Sequence, residues 1–120
     1  MRIGCPREIK NREYRVGLTP ESAKELVRNG HEVWVETGAG LGIGASDIEY
    51  QAAGAAIRDD AATLFAECDM IVKVKEPQPG ELAMLRNGQI LYTYLHLAPD
   101  PEQTAGLVAS GATAIAYETV

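Results

Sequence analysis

The chain has 120 residues, of which 46% are hydrophobic and 23% are charged, a composition typical of a single soluble globular domain. A formal net charge of −6, without any basic run, argues against a nucleic-acid-binding protein. No apolar run approaches the roughly 18 residues of a membrane-spanning helix, and Met1 leads directly into a predicted strand rather than a signal peptide. Cys5 and Cys68 lack metal-ligand spacing and the density of a disulfide scaffold, which predicts no metal site and favours a reducing cytoplasm.

The sequence alternates strand-like and helix-like segments throughout. The clearest helix begins after Thr19, an N-cap that Pro20 follows, and ends at Gly30. In chain order, strands are predicted at 2–5, 32–36, 55–58, 70–75, 89–95 and 113–117, and further helices at 46–53, 59–68, 79–86 and 100–110. Such alternation predicts parallel βαβ units with right-handed crossovers. The expected fold class is therefore α/β, a doubly wound, mostly parallel sheet with flanking helices of the Rossmann-like or flavodoxin-like type.

Four glycines alternate through the loop 37–45, which follows the second predicted strand. The loop contains the pattern G-x-G-x-x-A of dinucleotide-binding loops, and Asp59 or Asp60 follows at the spacing of a ribose-binding acid. However, the helix predicted after the loop, 46–53, is too short for the usual glycine-packed crossover. A wide, flexible loop over the edge of the crevice is the favoured interpretation. No cofactor-binding residue is therefore assigned to this chain.

Ionisable side chains follow two of the predicted strands. Lys75 lies at the carboxyl end of one strand, and His96 lies at the carboxyl end of the next. Because the carboxyl ends of parallel strands share one edge, where ligands bind, the two side chains are expected to be neighbours. Arg15 follows the first strand and can reach the same edge. Together these residues predict a cationic and acid/base cluster suited to a small anionic substrate.

Each of these residues also has a purely structural interpretation. His96 is then a surface or hydrogen-bonded residue, and Lys75 and Arg15 are solvated. Lys73, on the same strand face as Lys75, is predicted to cover an edge of the sheet with its aliphatic stem. Tyr94 alternates onto one face with His96, and core packing is its structural interpretation. Convergence of the charged residues on one edge favours the functional alternative.

Seven segments spread along the chain form a recognisable pattern: 1–10 (MRIGCPREIK), 13–20 (EYRVGLTP), 30–33 (GHEV), 36–40 (ETGAG), 72–77 (VKVKEP), 94–98 (YLHLA) and 116–119 (AYET). Together they resemble the amino-terminal domain of the bacterial alanine dehydrogenases. The resemblance runs across the whole chain without an evident gap. The related transhydrogenase α-subunit domains do not normally carry the lysine and histidine of these motifs, whereas this sequence has Lys75 and His96. The resemblance therefore favours the dehydrogenase.

The resemblance implies a reaction and a role for each site residue. The reaction is the reversible oxidative deamination of L-alanine to pyruvate and ammonia, with hydride transfer to NAD. Arg15 is expected to hold the substrate carboxylate as a planar, bidentate donor, and Lys75 to stabilise charge on the carboxylate or carbonyl oxygen. His96 is expected to exchange protons near neutral pH, and Tyr94 to pack beside the substrate. Lys75 and His96 are thus the expected catalytic residues.

The resemblance also implies that the parent protein has two domains. Residues 1–120 would form its substrate and catalytic domain, and the family's chain continues into a Rossmann domain that binds NAD. Without that domain the isolated chain is expected to be inactive, and the family implies a cytoplasmic homohexamer. The alternatives are a stand-alone pyruvate- or alanine-binding or assembly module without redox activity, a structural fragment, or a transhydrogenase domain.

Overall fold

Six parallel strands form one sheet in a computed structural model of the chain, which describes residues 1–9, 13–93 and 110–116. The strands are β1 (Arg2–Cys5), β2 (Glu32–Glu36), β3 (Ala56–Arg58), β4 (Met70–Val72), β5 (Ile90–Thr93) and β6 (Thr113–Ala116). Their order across the sheet is β3-β2-β1-β4-β5-β6, and every neighbouring pair is parallel. This doubly wound α/β architecture confirms the predicted fold class. The order reverses between β1 and β4, the point outside which ligands bind in such sheets.

A 3-10 helix, Leu41–Ile43, lies in the glycine loop, and four α-helices lie wholly in the described ranges. They are α1 (Pro20–Arg28), α2 (Asp47–Ala52), α3 (Ala61–Glu67) and α4 (Pro79–Leu82). The side chain of Thr19 accepts a hydrogen bond from the Ser22 N–H at 3.1 Å, so the predicted start of α1 is confirmed. Gly30 follows the C-cap with φ of +89°, a conformation that glycine adopts without strain. None of the helices in the described ranges is long and apolar enough to cross a membrane.

Helices cover both faces of the sheet. Along β2, Val33 and Val35 point to one face and Trp34 to the other, as the pleat requires. The first face packs against α1 and α2 through a core that includes Ile3, Cys5, Ala23, Val33, Val35 and Tyr50. The second packs against α3 and the segment after α4 through Trp34, Leu64, Phe65, Cys68, Ile71, Leu85 and Leu91. This packing fixes the carboxyl edge of the sheet as a rigid platform.

Two predicted elements extend three or four residues beyond the observed carboxyl end. The fourth strand is predicted to reach Lys75 but ends at Val72, because the N–H groups of Val74 and Lys75 donate to the Glu8 carboxylate instead of a neighbouring strand. The helix expected at 79–86 ends at Leu82, after which the backbone bonds shift to the tighter i→i−3 spacing. Residues 100–109 of the helix predicted at 100–110, and residues 94, 95 and 117 of the predicted strands, lie outside the described residues.

Candidate functional site

Lys75 lies just beyond the carboxyl end of β4, beside the reversal in strand order. Its main chain is held by two side chains: its N–H donates to Glu8 Oε1 at 3.2 Å, and its carbonyl accepts from Thr93 Oγ1 at 2.7 Å. Its Nζ lies 3.9 Å from Glu13 Oε1, in the segment that follows β1. The ammonium group therefore reaches the carboxyl edge of the sheet, where the sequence places it.

Arg15 meets Lys75 at the same carboxylate. Its Nε donates to Glu13 Oε2 at 3.0 Å and its Nη2 to Glu13 Oε1 at 2.9 Å, the side-on geometry of a bidentate pair. The Glu13 side chain is 5% exposed, whereas that of Arg15 is 62% exposed. Hydrogen bonding to the Arg15 guanidinium holds the pKa of Glu13 below its ordinary value. The structure thus brings Arg15 and Lys75 together, through a carboxylate that the sequence prediction missed.

A small cavity lies beside this group. Its volume is about 180 Å³, and it is lined by Arg7, Glu8, Glu13, Arg15 and residues of the glycine loop. This volume suits a small molecule, since pockets for drug-sized ligands enclose about 300–1,000 Å³. Two arginines and two glutamates line the cavity, so its wall offers both hydrogen-bond donors and acceptors, and these four side chains carry no net charge.

Lys73 is buried, and the prediction that it covers an edge of the sheet is wrong. Its Nζ lies 3.0 Å from Glu8 Oε1 and 3.1 Å from Glu81 Oε2, and its side chain is 1% exposed. Burial raises the pKa of Glu81, which the charge of Lys73 partly opposes. The side chain points inward because two carboxylates from distant elements solvate its charge there. Of Glu8, Glu13 and Glu81, only Glu81 has a local signal in the sequence. It lies three residues after Gln78 and accepts from the Gln78 N–H at 2.9 Å, as in a capping box.

The glycine loop packs against the segment that carries Arg15. A Cβ at Gly42 would lie 2.1 Å from the carbonyl oxygen of Tyr14, and one at Gly40 would lie 2.6 Å from Tyr50 Cε2. These two glycines are thus required by contacts with the protein's own atoms. The possible ribose-binding residue Asp60 instead caps α3, accepting from the Thr63 N–H at 2.8 Å. The packing of both glycines against protein atoms and the capping role of Asp60 favour the interpretation of the loop as a wall of the cavity.

The remaining candidate residues divide into two groups. Tyr94 and His96 lie outside the described residues, so their assignment to the site stays a prediction. Both cysteine thiols are buried and free, and burial raises the pKa of Cys5 to about 12 and of Cys68 to about 11. Thiols with such pKa values are poor nucleophiles near neutral pH. Within the part of the chain that the structure describes, no group of three acidic, histidine or cysteine side chains is arranged to hold a metal ion.

Comparison with known proteins gives consistent matches along the chain. The alanine dehydrogenases of Halomonas elongata and Bacillus subtilis are 55% and 52% identical to it over 120 residues, which is 100% of this chain and 32% of each relative. A solved L-alanine dehydrogenase structure superimposes with a TM-score of 0.95 at 50% identity, covering 98% of this chain and 32% of that one. The transhydrogenase structure from Sinorhizobium meliloti gives 0.92 at 32% identity, covering 98% of this chain and 35% of its own.

The chain therefore spans about a third of the length of the curated relatives it matches. The family model described as "Alanine dehydrogenase/PNT, N-terminal domain" matches residues 4–120. The matched range includes Arg15 and Lys75. It also includes every strand of the described sheet, apart from Arg2 and Ile3 at the start of β1. The chain belongs to the alanine dehydrogenase/PNT N-terminal domain family.

Proposed function

We propose that this chain is the substrate-binding and catalytic part of an NAD-dependent L-alanine dehydrogenase. The reaction interconverts L-alanine, NAD and water with pyruvate, ammonia and NADH. The observation that carries the proposal is the meeting of Arg15 and Lys75 at Glu13, beside a small cavity at the carboxyl edge of the sheet. The identity of about half of all positions to proteins named alanine dehydrogenase supports the same conclusion.

The proposed roles follow from the chemistry of each side chain. Arg15 anchors the substrate carboxylate, because a planar guanidinium pairs with a carboxylate through two parallel hydrogen bonds. Lys75 donates to the carboxylate or carbonyl oxygen and stabilises the negative charge that develops there. His96 exchanges a proton with the attacking water or the carbinolamine hydroxyl, and Tyr94 packs beside the substrate. The glycine loop closes one side of this site.

The cofactor is assigned to a second domain, which the longer relatives have room for and which lies outside residues 1–120. NAD accepts the hydride in the parent reaction, and the packing role of Gly40 and Gly42 in this chain supports a cofactor site in the second domain. We assign the parent protein to the cytoplasm and to a homohexameric assembly by analogy with the family. A module that binds pyruvate or alanine without redox chemistry is the alternative.

Titration with pyruvate, followed by NMR, tests the proposed site in the 120-residue chain. Shifts are expected at Arg15, Lys75 and His96, and Arg15→Lys should weaken binding about tenfold because the bidentate pair is lost while the charge remains. Arg28→Lys is the matched control, since Arg28 is an exposed residue of α1 that pairs with Glu25 at 3.6 Å. Shifts far from the three residues, or equal affinities in both variants, would contradict the proposal.

The transhydrogenase alternative has support from the Sinorhizobium meliloti structure. A transhydrogenase domain is expected to have no specific affinity for pyruvate, since Lys75 and His96 would then have no substrate to bind. Wild-type titration with pyruvate and with acetate separates the two functions. Selective binding of pyruvate, lost in Lys75→Met, favours the dehydrogenase, and equal, weak binding of both acids favours the transhydrogenase.

A further inference from the structure

The main chain of Lys75 is fixed by side chains that come from two other elements. Glu8, after β1, accepts hydrogen bonds from the N–H groups of Val74 and Lys75 at 3.0 and 3.2 Å. Thr93, the last residue of β5, donates its hydroxyl to the Lys75 carbonyl at 2.7 Å and is fully buried. Both polar groups of the Lys75 backbone are therefore held by side chains with defined positions.

These side-chain hydrogen bonds take the place of strand pairing at the carboxyl end of β4. The last paired residues of β4 and β5 are Val72 and Tyr92, and the Lys73 N–H adds one further bond to the Tyr92 carbonyl at 3.0 Å. Beyond that point, the Glu8 carboxylate and the Thr93 hydroxyl take the role of neighbouring strands. Because the position of the main chain sets where the side chain starts, these contacts determine whether Lys75 Nζ reaches Glu13, which lines the cavity.

Glu8 is itself held by a buried ionic network. Lys73 bridges Glu8 and Glu81, and all three side chains are at most 2% exposed. Burying three ionisable groups carries a large desolvation penalty, and a buried ion pair is weak evidence for stability alone. Glu8 follows β1 and Glu81 lies in α4, whereas Lys73 follows β4 and lies between the two carboxylates. The network therefore holds the segment after β1, which carries Glu8, against the end of β4 and α4.

We infer that Glu8 and Thr93 are positioning residues for Lys75, holding its backbone so that its ammonium group meets the substrate carboxylate beside Arg15. Lys73 and Glu81 hold Glu8 in turn. The inference rests on the proposed function of Lys75 in binding the substrate. It assigns a positioning role to two buried residues, of which Glu8 also lines the cavity and Thr93 does not.

A double-mutant cycle on the 120-residue chain tests the inference, with pyruvate affinity measured by NMR. Thr93→Val keeps the side-chain shape but removes the donor to the Lys75 carbonyl, and it is expected to weaken binding about tenfold. In the Lys75→Met background the same substitution should have no further effect, because there is no ammonium group left to position. A merely structural role would give equal effects in both backgrounds.

Amide hydrogen exchange at Lys75 supplies a second measurement that does not depend on affinity. Glu8→Gln keeps an acceptor oxygen but removes the charge that strengthens the bond, so the Lys75 N–H should exchange at least about tenfold faster. Asp60→Ala is the matched control, since it removes the cap of α3 and destabilises the fold without touching the Lys75 segment. Faster exchange at Lys75 in this control would assign the effect to overall stability and overturn the inference.

The outcomes separate the inference from the proposed function. If Lys75→Met leaves pyruvate affinity unchanged, the proposed function fails and the inference fails with it. If Lys75→Met weakens binding but Thr93→Val leaves affinity unchanged, the inference fails alone. Unchanged Lys75 amide exchange in Glu8→Gln likewise overturns the inference alone.

Discussion

Glu13 is the residue at which the two cations of the site meet, and its ionisation links the site to folding. Its pKa is lowered below the ordinary 4.5, chiefly by hydrogen bonds from Arg15. A lowered native pKa means that the contribution to stability is fully present above the unfolded pKa and is lost as the pH falls through the native value. Because Arg15 is largely exposed, solvent screening keeps this contribution small.

Glu13→Gln should therefore lower the free energy of unfolding near neutral pH and have progressively less effect in acid. The physical reason is that the wild-type Glu13 carboxylate becomes protonated in acid. Both proteins then lack the charged pair with Arg15. Urea unfolding of both proteins between about pH 7 and pH 3 measures the difference. A difference that stays constant over this range would show that the ionised form of Glu13 does not contribute.

Lys73 is the residue at which a substitution should damage the fold most. Lys73→Met leaves Glu8 and Glu81 buried near each other without a cation, and it should lower the free energy of unfolding by about 3–5 kcal/mol. Urea unfolding near neutral pH measures this loss. Lys24→Met, at an exposed position of α1, is the control and should change stability by less than about 0.5 kcal/mol. A comparably small change for Lys73→Met would contradict the buried network.

At the scale of elements, the glycine loop and the Arg15 segment form one packed unit. Tyr14 and Gly42 approach so closely that their backbones leave no room for a Cβ between them. Such contacts transmit a change in one segment to the other, because backbone atoms cannot rotate away as a flexible side chain can. The loop thereby helps to determine where the Arg15 guanidinium lies.

Gly42→Ala should consequently lower both stability and pyruvate affinity, the first by about 1–3 kcal/mol. Gly80→Ala is the matched control, since Gly80 lies in α4 and a Cβ there meets no atom of the described residues within 4 Å. This control should be neutral or stabilising by up to about 1 kcal/mol, the gain in helix propensity. Urea unfolding and NMR titration measure both effects. Equal changes in stability and pyruvate affinity in the two variants would contradict the close packing of the glycine loop against the Arg15 segment.

At the scale of the whole molecule, the sheet has its own cores on both faces, whereas the proposed reaction requires a partner domain. Helices α1 and α2 cover one face, and α3 covers part of the other. Hydride transfer requires a nicotinamide at near-attack distance from the substrate carbon, a positioning effect of about 7–11 kcal/mol. Such positioning depends on a cofactor site, which we assign to the second domain.

The 120-residue chain alone should therefore fold but not oxidise NADH in the presence of pyruvate and ammonium. Addition of a separately expressed NAD-binding domain of an alanine dehydrogenase should restore turnover, and Lys75→Met or His96→Ala should abolish it again. Spectrophotometric assay of NADH oxidation measures each case. Arg28→Lys is the control and should retain the complemented rate. Turnover by the chain alone would contradict the assignment of the cofactor to a second domain.

Much of this architecture could be predicted because its determinants are local. The bounds of β1 and β2 and the start of α1 follow from apolar periodicity, a capping side chain and glycine within a few residues of one another. Alternation of strands and helices then predicts a parallel sheet, and the carboxyl ends of the strands predict where Arg15 and Lys75 lie. Each step depends on the chemistry of neighbouring residues or on a general rule of chain connection.

The sequence by itself thus determined the fold class, the caps of α1 and the edge that carries the cations. Only the tertiary structure decided where β4 ends, where Lys73 points and which carboxylate joins Arg15 to Lys75. The physical reason is that these features depend on charges and hydrogen bonds between distant residues, such as Glu8 and Lys73, which are 65 residues apart in the sequence. A buried lysine is stable only where folding brings carboxylates to it, and no local pattern of residues encodes that meeting.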